Sequence, residues 1–243
     1  MIYKIFPIVF SALISFTTSE KHTAPTTKIH QANTKFIAAN VVSGVDTKIA
    51  AVYGKLQSNN YSLPKLESFS EALQGFYALK EKGMIQKDIL TLIDFSLSSN
   101  TKRLWVIDLS TNTVMMNSLV AHGRNTGDEF ATSFSNDASS FKSSLGFYVT
   151  GEIYNGKHGK SLKLDGLEKG VNDNARNRGV VMHAADYVSE SFIKDHHRLG
   201  RSQGCPALPA GLTNEIIDTI KNKSCLFIYH PSHKFTAPSK LLS

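Results

Sequence analysis

Gly200-Arg201-Ser202-Gln203-Gly204-Cys205-Pro206-Ala207-Leu208 sets a cysteine between a glycine and a proline, with a serine and an arginine just before it. That is an odd setting for a core residue. Gly204 permits a tight turn and close backbone approach, and Pro206 can open a helix or turn. Backbone N–H groups at such a turn can donate to an oxyanion. The cations Arg198 and Arg201 are expected to favour a thiolate. A cysteine nucleophile also needs a base within reach. His183 is the candidate, because it ends the apolar run Val180-Val181-Met182 and so stands at a strand end.

Outward from this motif the chain reads as mainly β between about residues 88 and 235. Ile89 to Leu97, Arg103 to Leu109, Val114 to Ala121, Phe147 to Ile153, Gly179 to Met182 and Cys225 to Tyr229 are short, apolar and β-rich, with a turn at Ser110 to Thr113. Leu212 to Asn222 is an amphipathic helix. Residues 41–87 form a small helical N-terminal region: Ile49, Val52, Tyr53 and Leu56 share helical spacing, as do Ala72, Phe76 and Leu79. Ser68 with Glu71 three residues on predicts an N-cap, and Gly83 a stop.

The 243 residues carry 27 Lys+Arg against 20 Asp+Glu, with 41% hydrophobic residues. This is a globular composition, not a disordered or collagen-like one. No Lys/Arg run interleaved with aromatics argues for nucleic acid. Ile5 to Phe16 has the length of a signal-peptide core and is short for a bilayer span, so residues 1–19 read as an export signal and 20–40 as a polar flexible linker. No other segment is apolar enough to span a membrane, and residues 236–243 read as a tail. Two cysteines, Cys205 and Cys225, cannot build a disulfide framework; one bridge or one reactive thiol remains.

These residues resemble the L,D-transpeptidase catalytic domain, the YkuD-type domain of cell-wall enzymes. That family carries a His at a strand end, then a segment, then Ser-His-Gly-Cys. Here His183 stands as the His and Ser202-Gln203-Gly204-Cys205 as the second part, after a gap of 18 residues. The resemblance also takes in Ser143 to Gly151 and Gly170 to His183, about residues 100–232 in all, and not the helical region. Gln203 replaces the family's second His, and Ala207 stands where an Arg usually follows the cysteine.

The resemblance implies a β-sandwich-like catalytic domain and peptidoglycan stem peptides as partners. It implies no cofactor and no metal. Cys205, His183, Ser202 and Gly204 would be catalytic, with Cys205 forming a thioester and His183 moving the proton. The carbonyl at Ala184 would orient the imidazole, and Arg201, Gln203, Arg176, Tyr187 and Ala184 would line the substrate site. Arg201 offers a bidentate fork for a carboxylate. An L,D-carboxypeptidase, a cysteine peptidase and a non-catalytic cell-wall-binding protein are the alternatives. A zinc enzyme using His183, His196, His197 and Cys205 is a further one. The compartment implied is the periplasm or cell envelope of a bacterium. His158, in Asn155-Gly156-Lys157-His158-Gly159, reads either as a loop residue over the cleft or as an ordinary surface histidine.

Overall fold

Eight short strands order themselves β3-β2-β1-β8-β4-β5-β6-β7 in one sheet of a computed structural model that describes residues 47–233. The predicted signal peptide, the linker and the C-terminal tail lie outside the described residues. The strands are β1 (Ile89–Asp94), β2 (Leu104–Asp108), β3 (Thr113–Ser118), β4 (Gly146–Gly156), β5 (Gly159–Gly166), β6 (Val181–Ala184), β7 (Ala207–Leu208) and β8 (Cys225–Tyr229). The chain is mainly β, as its apolar runs predict.

β1, β2, β4 and β8 carry burial on both faces, which is why they read as continuous apolar runs rather than alternating ones. One face meets the helical region. Helix α1, described over residues 47–54, and α2 (Leu66–Glu81) pack Ile49, Phe69, Leu73, Phe76 and Leu79 on Leu90, Leu92, Trp105, Phe147 and Phe227. On the other face the sheet curls over itself. Ile93, Val106 and Met116 from its β1–β3 half share a cluster with Leu162, Leu164, Met182 and Leu208 from its β5–β7 half. Helix α4 (Ala210–Ile220) plugs this cluster with Ile216, Ile217 and Ile220. Beyond β3 the chain runs alongside the Cys205 segment, through isolated bridges Ala121↔Ala207 and Gly123↔Ser202. The sheet is therefore nearly closed into a barrel.

Besides the two-residue strand β7, three elements differ from the sequence reading. Helix α2 starts two residues before Ser68, directly after Pro64-Lys65, and Ser68 Oγ donates back to Lys65 O instead of capping. Strand β5 was not expected, since its lysines and flanking glycines mask the alternation of Leu162 and Leu164. Helix α3 (Glu190–His196) was not among the expected elements; it buries no residue, and Ser189 Oγ caps it by accepting from Phe192 N. Among the described residues, no helix is long and apolar enough to cross a membrane.

Candidate active site

β6 and β7 are parallel neighbours, with His183 opposite Ala207. This register brings a strand-end histidine beside the segment that holds Cys205, although 21 residues separate the two in sequence. Both line a cleft of about 470 Å³, together with Phe141, Tyr154, Lys157, His158, Arg178, Tyr187, Arg201, Ser202 and Gln203. Among the described residues no Asp or Glu lines it.

The Cys205 turn is held from behind. Ser202 Oγ accepts from Gly204 N at 3.0 Å and donates to Cys205 O at 2.6 Å. Ser202 N donates to His122 O, Arg124 N to Ser202 O, and Ser143 Oγ to Gly204 O. Gly204 sits at φ 120°, and a Cβ there would come within 2.8 Å of Lys142 O, so only glycine fits. Ser202 and Gly204 thus shape the turn, and the serine hydroxyl is spent within it.

Cys205 Sγ is half-buried, accepts from Val181 N at 3.5 Å and points at Gly179 O at 3.8 Å. Burial raises its pKa above the ordinary thiol value, against the lowering effects of the Val181 N–H and the Arg178 charge. His183 is only 4% exposed, and its Nδ1 lies 2.8 Å from Ala184 O. A carbonyl can only accept, so Nδ1 carries the proton and Nε2 keeps its lone pair. Burial lowers the His183 pKa, the Ala184 carbonyl opposes this, and His158 and Lys157 add to the lowering. Both shifts favour the uncharged forms, thiol and imidazole. The hydrogen bonds of the two side chains go to backbone and not to each other. Catalytic contacts of this kind are commonly loose before substrate is bound.

The remaining predicted residues separate. Gln203 and Tyr187 line the cleft, and burial, then the Cys205 charge, pushes the Tyr187 phenol up to about 12. Arg201 reaches the cleft, but its Nη1 donates to Asp128 Oδ1 at 2.6 Å and to Gly127 O at 3.0 Å. Arg176 does not line the cleft. It is held on the outer surface of β4 and β5 by Asp165 and by both oxygens of Glu152. Two residues on, Arg178 points inward, donating to Ser135 O, Ser144 Oγ and Lys142 O. The cation that bears on the thiol is thus Arg178, not Arg198 or Arg201. Its position in the polar loop before β6 was visible in sequence, but its direction was not.

His196 and His197 are on α3 and its C-cap, with His196 stacked on Phe192. Among the described residues, no group of three His, Cys, Asp or Glu side chains is arranged to hold a metal ion. Both cysteines are free; Cys225 is fully buried in β8.

The family model of the L,D-transpeptidase catalytic domain matches residues 61–229. The match takes in α2, which the resemblance in sequence did not reach. No curated protein matches the chain. Among solved structures, an L,D-transpeptidase from Mycobacterium smegmatis is 11% identical, covering 59% of this chain and 59% of its own, with a TM-score of 0.38. The helical cell shape determining protein Pgp2 from Campylobacter jejuni is 14% identical, covering 65% of this chain and 56% of its own, with a TM-score of 0.39. An L,D-transpeptidase from Xylanimonas cellulosilytica is 11% identical over 76% of this chain and 93% of its own, with a TM-score of 0.37. The chain spans less than two thirds of the length of the first two.

Proposed function

The chain belongs to the L,D-transpeptidase catalytic-domain family, and from that premise we propose that it is an exported cysteine acyltransferase acting on peptidoglycan stem peptides in the cell envelope. The observation that supports this reading is the shared cleft of Cys205 and His183, with the imidazole tautomer set by Ala184 O. The apolar stretch Ile5 to Phe16 supports export.

In this reaction the Cys205 thiol gives its proton to His183 Nε2 as Sγ bonds to the carbonyl carbon of the residue preceding the stem's terminal D-alanine. The Cys205 backbone N–H at this turn would donate to the oxyanion. The C–N bond then breaks, and His183 returns the proton to the leaving D-alanine amine. An amine of a second stem attacks the thioester, and its proton passes through His183 to the departing sulfur. The Ala184 carbonyl takes the orienting place of a triad's third member. Gln203 and Tyr187 contact the stem peptide. Arg201, already engaged by Asp128, contributes charge rather than a free fork.

Incubation of the purified protein with tetrapeptide muropeptides, read by mass spectrometry, tests the reading. Cross-linked products are expected; tripeptides alone would make it a carboxypeptidase. Cys205→Ala should abolish both products and leave the melting temperature within a few degrees of wild type. Turnover retained by that variant would sink the mechanism.

A further inference from the structure

His158 lies on the face of His183. The hairpin β4–β5 closes at the pair Gly156↔Gly159, leaving Lys157 and His158 as its two-residue turn. Gly159 follows with φ 75°, a conformation that turns the tip. β5 then pairs with β6 so that Ser161 stands opposite His183. This register carries the tip back over the strand end of β6. The two imidazole rings stack at 4.5 Å between centroids and 24° between planes. His158 itself is exposed, whereas His183 beneath it is buried.

We propose that His158 is a positioning residue for His183, its ring covering the open face of the imidazole and holding that ring in the plane in which Nε2 serves Cys205. This rests on the reading of His183 as the proton-transfer base. Two contacts then fix the base: the Ala184 carbonyl through Nδ1, in the ring plane, and the His158 ring across it. The charged and titratable groups around the cleft are Lys157 and His158 from the hairpin, Arg178 from the loop before β6, Tyr154, Tyr187, Arg201 and Cys205. Of these, His158 and Lys157 are the ones whose charge weighs against an imidazolium at His183. The hairpin tip therefore covers the base and adds to the burial that disfavours its charged form. Gln203, where the family has a histidine, leaves His158 as the second imidazole beside this base.

The test uses the full chain with His158→Phe, His158→Ala and His183→Gln, following thiol alkylation of Cys205 by iodoacetamide against pH and the His183 ring titration by NMR. Phe keeps a stacking ring without the charge; Ala removes both. The His183 midpoint should rise in both variants by about half a pH unit or more, further in Ala, where solvent reaches the ring. Alkylation at pH 7 should fall roughly 5-fold or more in Ala, and Phe should recover most of that loss. A wild-type midpoint and rate in His158→Ala overturn the proposal. So does an equal loss in Phe and Ala, which would mean that the stacked ring is not what supports the base. If His183→Gln alkylates as wild type, the base reading fails, whereas the NMR midpoints in the His158 variants still decide whether the stacked ring governs His183.

Discussion

At the scale of single residues, burial sets the chemistry of the site more than its cations do. Arg198 and Arg201 stand next to the cysteine in sequence, but both turn to Asp128. The Arg178 charge that does bear on Cys205 is outweighed by desolvation. The thiol is therefore held above, and His183 below, their ordinary values. In the proposed reaction neutral His183 is the base, so the acidic limb of acylation should lie below the ordinary histidine value of roughly 6.5. His183→Gln should slow acylation by ~10²-fold or more across neutral pH; an unchanged pH–rate profile would exclude it as the base. Arg178→Gln should move the thiol titration, read by alkylation rate, further to the alkaline side, and Arg201→Gln should not. Equal shifts in both would return the role to the loop arginines. What sequence shows at this scale is residue type and order: Gly204-Cys205-Pro206 and the strand-end His183 were legible. Direction was not. Arg176 and Arg178 sit two apart on one loop and part to opposite sides, and nothing local to the loop says which enters the cleft.

At the scale of elements, patterns with an apolar face were legible and those without one were not. Strands β1, β2 and β8 are buried runs, and α2 and α4 bury the stripes their spacing predicts. Helix α3 rests on its Ser189 cap with no buried residue, so no stripe announces it. The start of α2 shifted because a Ser-x-x-Glu pattern is weaker than the Pro64-Lys65 entry beside it. The close packing of α2 on the sheet makes a sharp test. A Cβ on Gly75 would lie 2.0 Å from the Phe147 ring, which is itself stacked on Phe227 at 4.1 Å. Gly75→Ala gains helix propensity of about 1 kcal/mol, but overpacking a confined aromatic core costs about 1–3 kcal/mol. The second effect wins, and a net loss of stability by urea unfolding is expected. Gly211→Ala, in the first turn of α4, meets nothing within 4 Å. The same substitution there should stabilise by several tenths of a kcal/mol. Matching signs for the two variants would show that the α2–sheet contact is looser than described.

At the scale of the whole molecule, the back wall of the cleft and the buried seam of the curled sheet are one structure. The segment after β3 that bridges to Ala207 and Ser202 is tied to the core by Arg103, a fully buried arginine. Its guanidinium donates to Val120 O at 3.1 Å, Leu97 O at 2.8 Å and His122 Nδ1 at 2.8 Å, and it lies over the Phe95 ring at 4.8 Å. A guanidinium cannot accept, so His122 Nδ1 must be the acceptor, and Nε2–H turns to Gly127 O at 3.3 Å. That arrangement requires a neutral imidazole. Burial first, then the Arg103 charge, lowers the His122 pKa from 6.5 to about 4. The sign follows from linkage: a depressed histidine contributes its full stability above the unfolded value. That contribution drains away as pH falls from about 6.5 toward about 4, because the unfolded chain takes the proton first. A shift of this size corresponds to about 3 kcal/mol. The same residue's backbone carbonyl receives Ser202 N, which ties this seam to the turn that carries Cys205. Urea unfolding of the wild type should lose stability through this window, and His122→Gln should lose markedly less. Gln is less stable at pH 7 but keeps an amide oxygen for Arg103 and an N–H for Gly127. The remaining acid sensitivity in that variant includes His183 and His230, whose pKa values burial also lowers. Parallel pH dependences in wild type and His122→Gln would mean that the seam is not what acid opens.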